Sequence, residues 1–349
     1  MSTGQNHQLF CTSALMAMST HPLHFEKALA ALESALRRGI PPNQLSGFHP
    51  LEQLGDLYLS RPTGHRVDNL DRALLSYTLA SRTAACALNA QADLCRARLS
   101  AKLAQSWFVR LQTVSGTPQS DVAGISAERA HLRAAADAID IALQRYEDCA
   151  QNTHPSSLVG YRRALLFKGL IYDTLCRCLD AQLAFTAEIA VDDNVDATRT
   201  VAEAKRAVWK RMYNNSCIQA LEKLFVDTAD RCDEQGKENC TNNVNSGEME
   251  ANTQRQGDQL PGVTKVRGIL CLARAYVGSA NTGSKQVSAA LNLLRDVDTM
   301  LDNVIVPVYY DGFRVDEEDL KRMKEEARCL EALLAANDRP AAEGRCVVC

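Results

Sequence analysis

The chain has 349 residues, of which 46% are hydrophobic and 23% charged, and a net charge of −3 at pH 7. That balance excludes a disordered or collagen-like chain. Acids and bases are mixed along the sequence, which leaves no basic domain or stripe for nucleic acid.

Aromatic residues make up 5% of the chain, while Ala and Leu are abundant. Small and straight-chain side chains lose little rotamer freedom in a helix. Val and Ile seldom alternate as a half-buried strand requires, so the expected fold is all-α. The length fits two domains or one elongated array. The 13 cysteines are odd in number and scattered, and several fall in helical patterns: Cys86, Cys95, Cys176, Cys178, Cys217, Cys271 and Cys329. A disulfide framework belongs to a short secreted chain, so these read as reduced thiols packed as small hydrophobes in a cytosol. No stretch reaches the roughly 20 apolar residues of a membrane span. The apolar run LFCTSALMAM has no preceding Lys or Arg, and reads as a short first helix rather than a signal peptide. No Gly stands at position 2 for myristoylation.

In chain order, apolar spacing predicts a helix over 24–38, with Gly39 closing it and Pro41-Pro42 preventing its continuation. A second helix is expected over 51–59. The turn Arg61-Pro62-Thr63-Gly64 follows, and Asp68 caps a helix through Tyr77 and Ala80. A long helical segment covers 82–112, a loop 113–123, and Ser126 opens the next helix. Further helices are expected at 157–175, 179–191, 196–213 and 216–232. Residues 233–262 are rich in Asn, Gln, Glu, Gly and Ser and bury too little to offset their ordering entropy, which predicts a disordered linker. Helices resume at 265–277 and 285–301, an irregular stretch covers 304–315, and a last helix spans 316–336. The resulting division is a helical-repeat region at 1–232, a linker at 233–262, a helical hairpin with a capping helix at 263–336 and a flexible tail at 337–349.

Three segments share a pattern. Leu51, Leu54, Gly55 and Tyr58 precede Ala73, Tyr77 and Ala80. Leu165, Gly169 and Tyr172 precede Ala181 and Phe185. Ile269, Leu272, Ala273 and Tyr276 precede Ala290, Leu294 and Val297. A small residue lets two helices approach, an aromatic one turn later fills the gap, and a second small residue completes the interface. One such hairpin cannot bury its own faces, so hairpins must stack.

This pattern resembles the tetratricopeptide repeat. The resemblance implies antiparallel helix hairpins stacked as a right-handed solenoid, with a groove that holds a protein or peptide partner. The turn from Arg61 to Leu74 is similar to an extended variant of the repeat found in tandem arrays of large signalling proteins. Departures from the family are Glu188 where a small residue is usual, and the mostly absent terminal Pro. A plain helical bundle is the structural alternative. Chaperone-tail binders of this family resemble one another in a Lys/Asn clamp on each first helix. The matching positions here are Glu52, Asp56, Leu166 and Leu170, so that clamp is absent.

Catalytic and cofactor motifs are missing: there is no Gly-rich phosphate loop, HExxH or GxSxG. His21 and His24 would need further ligands to hold a metal. Cys176 and Cys178, two apart on a helix, point to different faces. Cys149 and His154 lack an orienting third group. Lys205, Arg206, Trp209, Lys210, Arg211 and Tyr213 form a basic, aromatic run, read as a solvated helix face with Trp209 turned inward. Asn214-Asn215-Ser216 and Asn239-Cys240-Thr241 match the glycosylation sequon, which has meaning only in a secreted chain.

Asp316 is a suitable N-cap for the last helix, and Glu317, Glu318 and Asp319 suit its dipole. Leu320, Met323, Ala327, Leu330 and Leu334 form a narrow stripe, which fits a capping helix or a short coiled-coil dimerisation helix. The chain closes on Cys346-Val347-Val348-Cys349, similar to a C-a-a-X prenylation box with Cys346 as the acceptor. Cys is unusual at the final position, and only Arg339 and Arg345 precede the box. A loose CxxC thiol pair or a chance ending are the other readings. The sequence therefore points to a non-enzymatic scaffold or adaptor in the cytoplasm, binding a protein or peptide and making reversible membrane contact through a lipid. A helical-bundle enzyme or cofactor-binding protein with an unrecognised site is the rival. No cofactor or metal is expected, and the oligomeric state is left open.

Overall fold

The computed structural model describes residues 26–27, 29–30, 33–34, 48–61, 63–85, 90–115, 122–149, 155–189, 196–225, 262–279, 283–302, 304, 306, 308–310 and 313–337. Among these residues the chain is helical, as its composition predicts, apart from one short two-stranded sheet. The elements are α1 (Phe48–Ser60), α2 (Arg66–Ala85), α3 (Ala90–Ser115), α4 (Val122–Asp148), α5 (Pro155–Ile189), α6 (Asp196–Phe225), α7 (Gly262–Val277), α8 (Ser284–Arg295), α9 (Val297–Asp302), β1 (Val308–Tyr310), β2 (Phe313–Val315) and α10 (Glu317–Asn337). The proposed linker at 233–262, all but its last residue, and the tail from 338 onward lie outside the described residues.

Two compact units form, one of Met1–Phe167 with Tyr309–Arg314, the other of Lys168–Val308 with Val315–Cys349. The division falls inside α5 rather than at the polar segment 233–262. The reason is packing: α6 and α7 lie against each other, so that segment joins two helices of one unit.

In the first unit each helix packs on its chain neighbour, α1 on α2, α2 on α3 and α3 on α4. The turn from α1 to α2 is shaped by Gly64, whose φ of 81° lies in the left-handed region open to glycine. Asn69 closes it by donating Nδ2–H to the Thr63 carbonyl at 2.8 Å. Leu70, Tyr77, Leu99, Leu132, Ile139 and Phe167 are fully buried. Phe313 from β2 completes an aromatic trio with Phe108 (5.9 Å between ring centres) and Phe167 (6.5 Å).

In the second unit α7 is central, with α6, α8, α9 and α10 all packed against it. Ten of its residues from Val263 to Ala275 are buried, while Lys265, Arg267 and Arg274 are only partly covered. The stripe of α10 is buried within the chain, at Leu320, Met323, Ala327, Leu330 and Leu334. The expected cap is in place: the Asp316 carboxylate accepts the Asp319 N–H at 3.0 Å, and Asp319 reaches back to the Asp316 N–H at 3.3 Å.

Several helix boundaries differ from the sequence reading. Residues 157–175 and 179–191 form one helix, α5, because nothing between Tyr172 and Ala181 breaks it. Residues 196–213 and 216–225 likewise form one helix, α6. The segment 82–112 is two helices, and 285–301 is interrupted at Asp296. The stretch read as irregular at 304–315 contains the two strands.

Candidate functional site

In the first unit α1 carries Glu52 and Asp56 one turn apart, and α3 carries Arg98 and Lys102 at the same spacing. The four interlock. Arg98 donates two hydrogen bonds to Glu52 at 2.6 and 2.7 Å. Lys102 lies 2.8 Å from Glu52 and bonds both Asp56 oxygens at 2.7 Å. Tyr77 of α2, fully buried, donates its hydroxyl proton to Asp56 at 2.6 Å. Glu52 is only 5% exposed, so its carboxylate is set into the core and matched by cations, while Asp56, Arg98 and Lys102 keep a partly exposed edge.

The second unit repeats the arrangement with α5 and α7. Asp173, buried, accepts from Arg274 at 2.8 and 3.2 Å and lies 3.2 Å from Arg177. Arg274 also pairs with Glu326 of α10. Glu222 of α6 accepts from Tyr276 of α7 and from Gln286 of α8, each at 2.6 Å.

These settings fix protonation states rather than tune them for proton transfer. Burial alone would raise the pKa of Glu52, but Lys102 and Arg98 outweigh it and hold the carboxyl down to about 2. Burial, then the neighbouring Asp56, pushes Tyr77 well above its ordinary value. Burial likewise raises Cys176 and Cys271 to about 12, and holds Cys217 well above its ordinary value. A carboxyl ionised throughout and thiols protonated throughout are poorly placed for general acid–base or nucleophilic work near neutral pH. Cys149 is also raised, by burial and then by Asp93 and Asp148, and its proposed partner His154 lies outside the described residues.

Among the described residues no cluster of three or more His, Cys, Asp or Glu side chains could hold a metal ion. His21 and His24 are outside that set. A cleft of about 320 Å³ lies between α6 and the end of α7, lined by Lys210, Arg211, Asn214, Asn215, Gly278 and Ser279. Its lining offers donors but no carboxylate, imidazole or thiol.

The repeat-defining residues divide. Gly55 and Tyr77 meet across α1 and α2, with Tyr58 and Ala73 buried in the same pair. Gly169 of α5 meets Leu221 of α6. The Tyr172 ring lies 5.8 Å from that of Tyr213, also of α6, and is tilted to it by 52°. Ala181 and Phe185 lie on α5 itself, so they cannot be the partner helix of Gly169, and their side chains are outside the described set. That copy of the pattern takes its second helix from α6, because the chain does not turn where the repeat spacing asked it to. Tyr276 and Ala290 are buried on α7 and α8, which pack together.

Trp209 is not turned inward: it is 40% exposed, with its ring 5.8 Å from that of Tyr213. Cys176 and Cys178 are both buried thiols. The paired charges on α1 and α3 were missed. Their signal was two acids and two bases at matching i,i+4 spacing on alternate helices. Cys346 lies outside the described residues.

Compared with known proteins, the chain matches no protein-family model, and no curated protein matches it significantly.

Proposed function

We propose that the chain is a non-catalytic scaffold of tetratricopeptide-like helix pairs, holding a protein or peptide segment on the face of its first helices. One observation supports this most. Ion pairs link alternate helices, α1 to α3 through Glu52–Arg98 and Asp56–Lys102, and α5 to α7 through Asp173–Arg274. Alternate helices lie side by side when hairpins stack, and the face they share is the one a solenoid presents to a partner. On this reading α10 caps the array. Cys346 in its C-a-a-X-like ending carries a prenyl group, which alone gives weak, reversible membrane attachment on the cytosolic side.

The test is affinity enrichment of the full chain with mass spectrometry, beside an Arg163→Glu variant. Arg163 lies on α5, and its charge reaches Tyr77 and Tyr146 within the first unit. A partner retained by the parent and lost with the variant, at an unchanged melting temperature, is the expected result. A partner indifferent to that face overturns the groove. Intact mass of protein from a eukaryotic host tests the lipid, and an unmodified end at Cys349 overturns it.

A further inference from the structure

The exposed side of α6 carries three large apolar side chains within five residues. Val208 is 67% exposed, Met212 45% and Trp209 40%. At about 3.6 residues per turn, Val208 and Met212 fall at the centre of the solvent face. Lys205 and Trp209 flank them on one side and Arg211 on the other, and both cations are exposed. The opposite side of the helix is spent on the core through Tyr213, Cys217, Ala220, Leu221 and Leu224. Between Glu203 and Glu222 the helix has Lys205, Arg206, Lys210 and Arg211 and no carboxylate, in a chain whose net charge is −3. Asp180 of α5 pairs with Lys210 at 2.7 Å. Glu222 is turned to Tyr276 and Gln286.

We propose that this face docks on an anionic phospholipid surface. The ridge stands out from the helix, with Ala204, Lys205, Ala207, Val208, Trp209, Arg211 and Met212 all exposed along it. A single partner helix would meet only part of this ridge, whereas a fluid bilayer closes around it and reaches the cations on both flanks. Val208 and Met212 enter the boundary between headgroups and acyl chains. Trp209 lies at the level where its apolar body and indole N–H are both accommodated, and the flanking cations meet lipid phosphates and carboxylates. The binding is independent of Cys346, and supplies the second signal that a single lipid chain needs for stable attachment.

The test uses the full chain made without a prenyl transferase, so that lipidation plays no part. Partition is measured on phosphatidylcholine vesicles with and without phosphatidylserine. A Trp107→Phe background leaves Trp209 as the only indole. Binding that requires phosphatidylserine, weakens with salt and shifts Trp209 emission to the blue is expected. Val208→Asp with Met212→Asp, and separately Lys205→Gln with Arg211→Gln, should each weaken partition roughly tenfold or more. Leu333→Asp, an exposed apolar position on α10, should leave it unchanged. Lys205, Val208, Arg211, Met212 and Leu333 are all exposed, so substitutions there keep the thermal transition of the Trp107→Phe background. No phosphatidylserine-dependent partition, or partition indifferent to both α6 pairs, overturns the proposal. Self-association without lipid that Val208→Asp with Met212→Asp abolishes also overturns it, and assigns the ridge to a second copy.

Discussion

A methyl group added at Gly55 would sit 2.7 Å from Cδ1 of Tyr77, well inside contact distance. Tyr77 cannot retreat, because its ring is fully buried and its hydroxyl is tied to Asp56. Gly→Ala inside a helix ordinarily stabilises by about 1 kcal/mol, so the sign of the effect is diagnostic. Gly55→Ala should instead destabilise by about 1–3 kcal/mol in urea titrations, and Gly55→Leu by more. At Gly169 the obstacle is the Leu221 side chain, 2.5 Å from the added carbon but held by packing alone. Gly169→Ala should therefore cost less than Gly55→Ala. Glu52 gives a second prediction at this scale. Its pKa is about 2 in the folded chain against an ordinary 4.5. The folded value is depressed, so its contribution is complete above about pH 4.5 and is lost as pH falls toward 2. The difference amounts to about 3 kcal/mol. The urea midpoint of the parent should drop steeply between pH 5 and pH 3, by a margin that Glu52→Gln removes. The Gly55–Tyr77 contact was legible in the sequence because a small residue and an aromatic recur at the spacing two packed helices need. The charge network was not, because pairing across α1 and α3 joins residues 46 apart.

The last helix shows what an element can carry beyond its own pattern. Its stripe suits a capping helix and also fits a coiled coil of only about two heptads, and its burial favours packing within the chain. Leu330 and Leu334 are buried against the chain's own helices, while Leu333 beside them is half exposed. Arg274–Glu326, Arg295–Glu331, Lys324–Asp302 and Arg328–Asp298 join α10 to α7, α8 and α9. The outer three are exposed pairs of small individual worth, so the stripe carries most of the attachment. Leu330→Asp should cost about 3 kcal/mol or more by burying a charge, and Leu333→Asp less than about 0.5 kcal/mol. Both chains should sediment as monomers at micromolar concentration, and a parent dimer lost on Leu330→Asp would restore the coiled coil. The existence of helices was readable from periodicity, and their ends were harder. Asn214-Asn215-Ser216 reads as a turn, yet α6 runs through it: Asn214 accepts a bond from the Cys176 thiol at 3.1 Å, and Cys217 is buried just after. Tertiary contacts there override local preference. The strand pair had a signal that went unread, since Asp311-Gly312 between Val308–Tyr310 and Phe313–Val315 is the pairing of residues a two-residue hairpin favours.

At the scale of the whole chain, the two compact units each hold one tryptophan and, among the described residues, one buried, cation-matched carboxylate. Glu52 and Trp107 belong to the first, and Asp173 and Trp209 to the second. Trp107 stacks on His131 at 5.2 Å, and Trp209 lies 5.8 Å from Tyr213, so each indole reports its own surroundings. Removing the charge of a buried carboxylate strands its cations, at a cost of about 3–5 kcal/mol. A Trp209→Phe chain then follows the first unit alone, and a Trp107→Phe chain the second. If the units are separate cooperative blocks, Glu52→Gln lowers the urea midpoint only in the Trp107 signal. Asp173→Asn lowers it only in the Trp209 signal. The boundary, however, falls inside α5, between Phe167 and Lys168, where the chain is helical on both sides. A helix that loses order on one side of that point loses its hydrogen-bonded neighbour on the other, which favours coupling. We therefore expect each substitution to shift its own unit's signal fully and the other by a smaller, measurable amount. Equal shifts in both signals would mean that the two units unfold as one. No shift in the distant signal would mean that α5 transmits nothing.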